Sequence, residues 1–241
     1  MNQGGDHMIR EDFVSLYQSL REKEERVFSD SALWQLPEVE ATHPHFAEWQ
    51  LRKTSAKRLI LWLIRKKSPL DILEIGCGNG WLSHQLAAIP GSRVTGTDIN
   101  SFETEQAKRV FASKSNLNFI HGEASPALFK GRKFDIILFA SAMQYFESVG
   151  ETIGNARSML KSHGEIHIMD SPFYREDQRE EARQRSIRYY ESLGFSEMSR
   201  YYFHHSYDEL KGIQFRLLYD PGKMIHRLKG NRNPFPWICI Q

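Results

Sequence analysis

Cysteine is nearly absent: the 241 residues include only Cys77 and Cys239. Two isolated thiols make neither a disulfide framework nor a zinc site, and they fit a reducing cytoplasm. Long apolar runs are also missing. No window approaches the roughly 18 residues that a membrane span needs. The best candidate, Leu59 to Ile64, stops at Arg65, Lys66 and Lys67. The N-terminal MNQGGDHMIR lacks the apolar core of a signal peptide, so no export is expected. An excess of one charge is absent, since 32 Lys and Arg against 30 Asp and Glu leave +2. That argues against a dedicated nucleic-acid binder. Two local basic stretches, Arg52 to Lys67 and Lys223 to Arg232, read as solvated faces; the sharper alternative is an anionic-substrate or RNA surface. No internal repeat, low-complexity segment or metal-ligand spacing is evident, so no metal is expected.

What is present is a change of texture along the chain. Residues 1–8 are expected to lack structure. Residues 11–35 carry Phe13, Leu16, Tyr17 and Leu20 at helical spacing, and a further helix spans about Ala47 to Lys66. From residue 68 the pattern switches to short apolar runs that alternate with helices. Strands are expected at Leu70 to Ile75, Arg93 to Thr97, Leu117 to His121, Phe134 to Ala140 and Glu165 to Met169. Helices are expected at Gly80 to Ile89, Phe102 to Ser113 and Thr152 to Leu160. A charged helix at 175–193 capped by Gly194 follows, then strands near Phe215 to Tyr219 and Trp237 to Ile240. This alternation predicts an α/β fold: a Rossmann-like, seven-stranded, mostly parallel sheet with helices on both faces, plus an N-terminal helical cap. The expected division is a cap at 1–67 and a catalytic body at 68–241.

The strongest chemical signal is DILEIGCGNG at 71–80. A buried strand carries Glu74 near its end, and a turn with Gly76, Cys77, Gly78 and Gly80 opens a helix. Glycines let backbone amides approach a ligand with no Cβ in the way. A dinucleotide fingerprint counted from Gly76 needs glycine at position 81, which is Trp81, and the lysine of a phosphate-binding P-loop is missing.

E-x-G-x-G-x-G at the end of the first strand resembles the first motif of the class I S-adenosylmethionine-dependent methyltransferases, and the resemblance covers roughly residues 68–170. It implies S-adenosylmethionine as cofactor. It places Asp98, from TGTDIN, on the ribose hydroxyls; a carboxylate has the acceptors for a vicinal diol. Ile99 is placed against an adenine face. Glu123 and Ala124, from HGEAS, are placed beside the adenine, with glutamate where the family commonly carries aspartate. Ala140 and Ser141, from FASAM, lie beside the methionine arm, and Met143 to Tyr145 lie near the acceptor. The N-P-P-Y motif of many amino-group methyltransferases is absent after the fourth strand.

A methyl sulfonium is already activated, so the protein must align the acceptor and exclude water. A base is needed only for a protonated acceptor. The candidates are Tyr145, His204 and His205; His163 and His167 read as structural. His45, Trp49 and Arg52 are candidates for closing over the methionine arm. The expected reaction is methyl transfer to a small molecule in the cytoplasm, with nucleic acid not expected as a partner. The alternatives are a methyltransferase acting on RNA or protein, and an S-adenosylmethionine-binding protein without transfer activity. Neither the acceptor nor the oligomeric state is legible.

Overall fold

The computed structural model describes residues 3–66, 69–223 and 233–241. Five strands, β1 (Asp71–Ile75), β2 (Arg93–Asp98), β3 (Leu117–His121), β4 (Phe134–Ala140) and β5 (Leu160–Met169), run parallel. β6 (Phe215–Tyr219) and β7 (Trp237–Ile240) complete one seven-stranded sheet of order β3-β2-β1-β4-β5-β7-β6, in which β7 is antiparallel to both neighbours. The helices are α1 (Gln3–Lys23), α2 (Asp30–Gln35), α3 (Phe46–Ile64), α4 (Trp81–Leu86), α5 (Ser101–Val110), α6 (Val149–Ser158) and α7 (Glu176–Leu193).

The expected α/β architecture is present, with differences at element ends. Helix α1 begins at Gln3, where disorder was expected. Once the inward face at 13–20 is docked, adding further turns upstream needs no new nucleus. β5 begins at Leu160, because an irregularity opposite Phe134 and Ile136 keeps the strands paired past a break in register. His163 therefore lies inside the strand. Lys67 of the first basic stretch falls outside the described residues, as does 224–232 of the second.

Alternation along the central strands divides the core. Ile72, Ile136 and Leu138 face a layer that includes Leu59 and Leu63 of α3, Leu82 and Leu86 of α4, and Ala107 of α5. Leu73, Ile75, Ile137 and Phe139 face the other layer, with Val149, Ile153 and Ala156 of α6. A period of two makes β1 and β4 apolar on both sides, as central parallel strands require. Helix α3 thus shares its core with the sheet. A third cluster joins Leu20 of α1 to Tyr190 of α7 and to Met198.

The sheet order has one consequence for function. From β1 the chain moves outward to β2 and β3; from β4 it moves the other way to β5. The crevice beyond the carboxyl ends of β1 and β4 is therefore a topological switch point, where open α/β sheets take their ligands.

Candidate active site

A cavity of about 630 Å³ opens at that crevice, within the usual range for small-molecule sites. Its floor is the turn after β1. Gly76, Gly78 and Gly80 all adopt left-handed φ, at +73°, +51° and +76°. At Gly76 a Cβ would sit 2.7 Å from the Ala142 Cβ. The Gly76 and Cys77 amides donate to the Thr97 carbonyl at 2.9 and 3.1 Å, which folds the turn over the end of β2. Gly80 has a different role. It does not border the cavity, and a Cβ there would lie 2.4 Å from the Phe119 ring, so its smallness seats the start of α4 against β3.

The residues expected from the sequence divide into two groups. Glu74, Gly76, Cys77, Gly78, Ala140, Ser141 and Tyr145 border the cavity. Glu74 accepts a hydrogen bond from Ser83 Oγ at 2.5 Å, and burial pushes its carboxyl up to about 8. Burial also pushes the Cys77 thiol up, which keeps it uncharged. Ser141 holds a left-handed φ of +54° while its amide donates to the Met169 carbonyl at 2.9 Å.

Asp98, Ile99, Glu123 and Ala124 are not among the residues that border the cavity. The Asp98 carboxylate accepts the Gly78 amide through Oδ2 at 2.8 Å and the Asn100 amide through Oδ1 at 2.9 Å. Burial raises its pKa. The Ile99 carbonyl meets His121 Nε2 at 3.0 Å, and the Ala124 carbonyl accepts from Asn155 Nδ2 at 2.8 Å. Glu123 is exposed.

The roof comes from α1, α3, α7 and the segment after α7. Tyr17, Tyr145, Tyr190 and Tyr202 form a continuous aromatic wall. Ring centroids lie 5.5 Å apart for Tyr17–Tyr145, 5.8 Å for Tyr145–Tyr202 and 6.0 Å for Tyr190–Tyr202. Trp49 meets Trp81 edge-on at 5.3 Å. Arg26 and Arg52 both bind Glu48, at 2.7 and 2.9 Å, and against the cost of burial they hold its carboxyl down to about 2. Asp170, at the end of β5, accepts Ser55 Oγ and Asn233 Nδ2, each at 2.7 Å, and so ties α3 to the C-terminal segment.

Besides Gln144 Oε1, atoms of two charged side chains border the cavity without a hydrogen-bond or ion-pair partner among the described residues. One is the Glu103 carboxylate on α5; the other is the buried Nε of Arg21 on α1. Neither was singled out in the sequence. Glu103 reads there as an ordinary first-turn helix acid, and Tyr17 and Arg21 as one turn of an amphipathic face. An acid five residues beyond Asp98 was the available signal.

The histidines have other partners. His205 is buried, with Nδ1 2.9 Å from Glu209 and Nε2 3.1 Å from the Met143 carbonyl. His204 bonds Ser186 Oγ at 2.8 Å, and burial lowers its pKa to about 4. Neither borders the cavity. His45 Nε2 lies 2.6 Å from the Glu24 carbonyl, outside the wall that Trp49 and Arg52 help to form. On the other side of the fold, donor atoms of Glu165, His167 and Cys239 lie within 4.8 Å of one another. Trp237 Nε1 donates to His167 Nδ1 at 3.0 Å, which leaves the proton on Nε2 to face Glu165 at 3.1 Å. Lys66 binds Glu165 at 2.9 Å. These contacts use the His167 and Glu165 atoms that a metal would need.

A family model described as a methyltransferase domain matches residues 72–164. The malonyl-[acyl-carrier protein] O-methyltransferase of Halalkalibacterium halodurans is 28% identical over 123 residues, which is 47% of this chain and 45% of that protein. The ubiquinone biosynthesis O-methyltransferase of Bartonella quintana is 36% identical over 101 residues, covering 41% of this chain and 40% of that one. The chain thus spans less than half the length of these relatives. Among solved structures, an O-methyltransferase family protein from Burkholderia thailandensis aligns over 95% of this chain and 71% of its own, with TM-score 0.59 at 12% identity. The plantazolicin methyltransferase BpumL, in complex with a triazolic desmethylPZN analog and SAH, covers 97% of this chain and 99% of its own, at TM-score 0.55 and 17% identity. At such identities the likeness is one of fold. The glycine turn, the strand order and the matched domain agree: residues 72–164 are a methyltransferase domain within a Rossmann-like α/β fold.

Proposed function

We propose that this protein transfers a methyl group from S-adenosylmethionine to a small-molecule acceptor in the cytoplasm. The observation that carries the reading is the left-handed glycine turn facing a cavity at the switch point of the sheet. The cavity fits such a donor: Gly76 and Gly78 hold left-handed backbone at its floor, and the Glu103 carboxylate and the Arg21 Nε border it without a hydrogen-bond partner among the described residues. In this reading residues 1–67 serve as a cap on a body of 68–241. The turn Gly76–Gly78, Cys77 included, and Glu74 line the amino-acid arm, with Gly80 seating the turn from beneath. Ala140 and Ser141 flank the reacting carbon. Asp98, Ile99, Glu123 and Ala124 frame the adenosine.

When bound, the donor supplies a methyl carbon made electrophilic by its sulfonium. The chain's own residues orient the acceptor and exclude water, which is worth up to about 7–11 kcal/mol of a barrier. Of the three candidate side chains Tyr145, His204 and His205, only Tyr145 borders the cavity. Burial raises its pKa, so it keeps its proton near neutral pH and acts as a hydrogen-bond donor. The tyrosine wall suits a planar or apolar acceptor. Much of the first basic stretch is used internally: Arg52 on Glu48, Lys53 on Glu38, Arg58 over the Tyr219 ring and Lys66 on Glu165. That supports a small molecule over RNA. Two cysteines, both buried and unpaired, fit a reducing compartment, and among the described residues no helix is long and apolar enough to cross a membrane.

The test is thermal denaturation with S-adenosylhomocysteine or NAD, followed by transfer of labelled methyl to a panel of phenols, carboxylic acids and amines without added metal. Stabilisation by S-adenosylhomocysteine alone is expected. Stabilisation by NAD alone would end the reading.

A further inference from the structure

The first turn of α5 carries an unusual arrangement. Asn100 is its N-cap, and its side-chain oxygen accepts the Phe102 and Glu103 amides at 3.0 and 3.4 Å. That places Glu103 at the third helical position. A glutamate there ordinarily reaches back to the N-cap amide and closes a capping box. Here the Asn100 amide already donates to Asp98 Oδ1 at 2.9 Å. Glu103 is therefore displaced from its local partner. Among the described residues no hydrogen bond or ion pair involves its carboxylate, which borders the cavity. A Cβ on Gly78 would lie 3.2 Å from Glu103 Oε2, so the carboxylate lies directly over the glycine turn.

The groups that face it are few. Asp98 lies behind Gly78, Tyr17 and Arg21 come from α1, and Arg52 comes from α3. No ion pair to either arginine forms. Burial, with the Asp98 charge adding to it, pushes the Glu103 carboxyl up to about 7. An unpaired, half-buried carboxylate is costly, and it persists where a ligand supplies what the chain withholds. The ligand must offer hydrogen-bond donors beside the Gly78 backbone. A vicinal diol does so, and Asp98, with each oxygen already accepting one amide, has only half its capacity left.

We infer that Glu103 is a second ribose-binding carboxylate, sharing with Asp98 the two hydroxyls of the donor's adenosyl group. The inference rests on the reading of the cavity as the donor site. It assigns the discrimination between ribose and deoxyribose largely to a residue outside the glycine and Asp98 motifs.

The test is calorimetric titration of the wild type, Glu103→Gln and Glu103→Asp with S-adenosylhomocysteine and with its 2′-deoxy and 3′-deoxy analogues. Wild type is expected to prefer the ribose form at least tenfold over one of the two deoxy analogues. Glu103→Gln is expected to bind S-adenosylhomocysteine at least tenfold more weakly, with that preference reduced severalfold. Equal binding of all three ligands by wild type overturns the inference. So does a Glu103→Gln protein that keeps the wild-type preference, whatever its overall affinity, since Glu103 then acts on the cap rather than on the hydroxyls. If Glu103→Gln does not fold, Glu103→Asp is judged by the same criterion, because one lost methylene removes the reach and keeps the charge. No binding of S-adenosylhomocysteine by wild type overturns the donor reading itself, and this inference with it.

Discussion

The two edges of the sheet treat carboxylates in opposite ways. At the amino edge, Asp71 at the start of β1 binds Arg93 at 2.7 Å, Arg132 at 2.9 Å and Lys161 at 2.9 Å, and Lys161 also reaches Asp135 at 2.8 Å. The hydrogen-bonded Arg93, with Lys161 and Arg132, holds Asp71 well below the usual carboxylate range. At the carboxyl edge, Glu74, Asp98, Glu103 and Asp170 form no ion pair among the described residues, and burial raises all four. One edge is closed by its own charges; the other keeps unspent acceptors around a cavity. On the proposed reading, the chain gives up stability at the donor site and recovers it at the opposite edge.

The largest effect is expected at Asp98. Asp98→Ala removes the acceptor for the Gly78 and Asn100 amides, so S-adenosylhomocysteine affinity is expected to fall about 100-fold, by calorimetry. The ligand-free protein should also lose about 2 kcal/mol in denaturant titration. Unchanged affinity would remove the turn from the site.

At the closed edge, Asp71→Asn is expected to cost about 2 kcal/mol at pH 7, less than a fully buried pair because its partners reach water. A depressed folded pKa contributes stability that is fully present above the unfolded value near 4 and is lost as pH falls below it. The variant's denaturation midpoint should therefore lose less than the wild type's between about pH 5 and pH 2. Parallel acid profiles would contradict the ion cluster.

The open edge has the reverse sign. A raised folded pKa contributes stability that is present below the unfolded value and lost as pH rises through the folded one. Glu103→Gln should therefore raise the ligand-free melting temperature by a few degrees at pH 8, roughly 2–4 °C per kcal/mol for a chain of this size. The gain should shrink toward pH 5. A lower melting temperature at pH 8 would mean that Glu103 has a structural partner.

The smallest effect is expected at His204, which faces Ser186 rather than the cavity. His204→Ala should keep turnover within about threefold, because a histidine held near 4 is a poor base at neutral pH. A hundredfold loss would place it in the chemistry.

The closed fold and the open edge differ also in how far they can be read from residues alone. The central strands are legible because FDIILFA and DILEI are apolar on both faces, which only a doubly covered sheet satisfies. The glycine turn is legible because left-handed backbone leaves a mark in residue type. The upper wall is not. Tyr17 lies far along the chain from Tyr190 and Tyr202, and at Tyr17 and Tyr190 the local pattern is that of ordinary packing, while the aromatic run Tyr201 to Phe203 reads equally as a pocket lining or as core. The role of Gly80 is hidden for the same reason: the ring it admits, Phe119, lies on another strand. Glu103 is concealed by its own helix, since an acid in a first turn needs no further explanation until Asp98 is seen holding the amide it would use.

Hydrogen exchange, followed by mass spectrometry with and without S-adenosylhomocysteine, tests the contrast between the two edges most directly. Slowed exchange is expected at 76–80, at 98–103 and along α1, with the amides around Asp71, Arg93 and Lys161 unchanged. Slowing confined to the amino edge, or no change at either edge, would contradict the assignment of the carboxyl-edge cavity as the donor site.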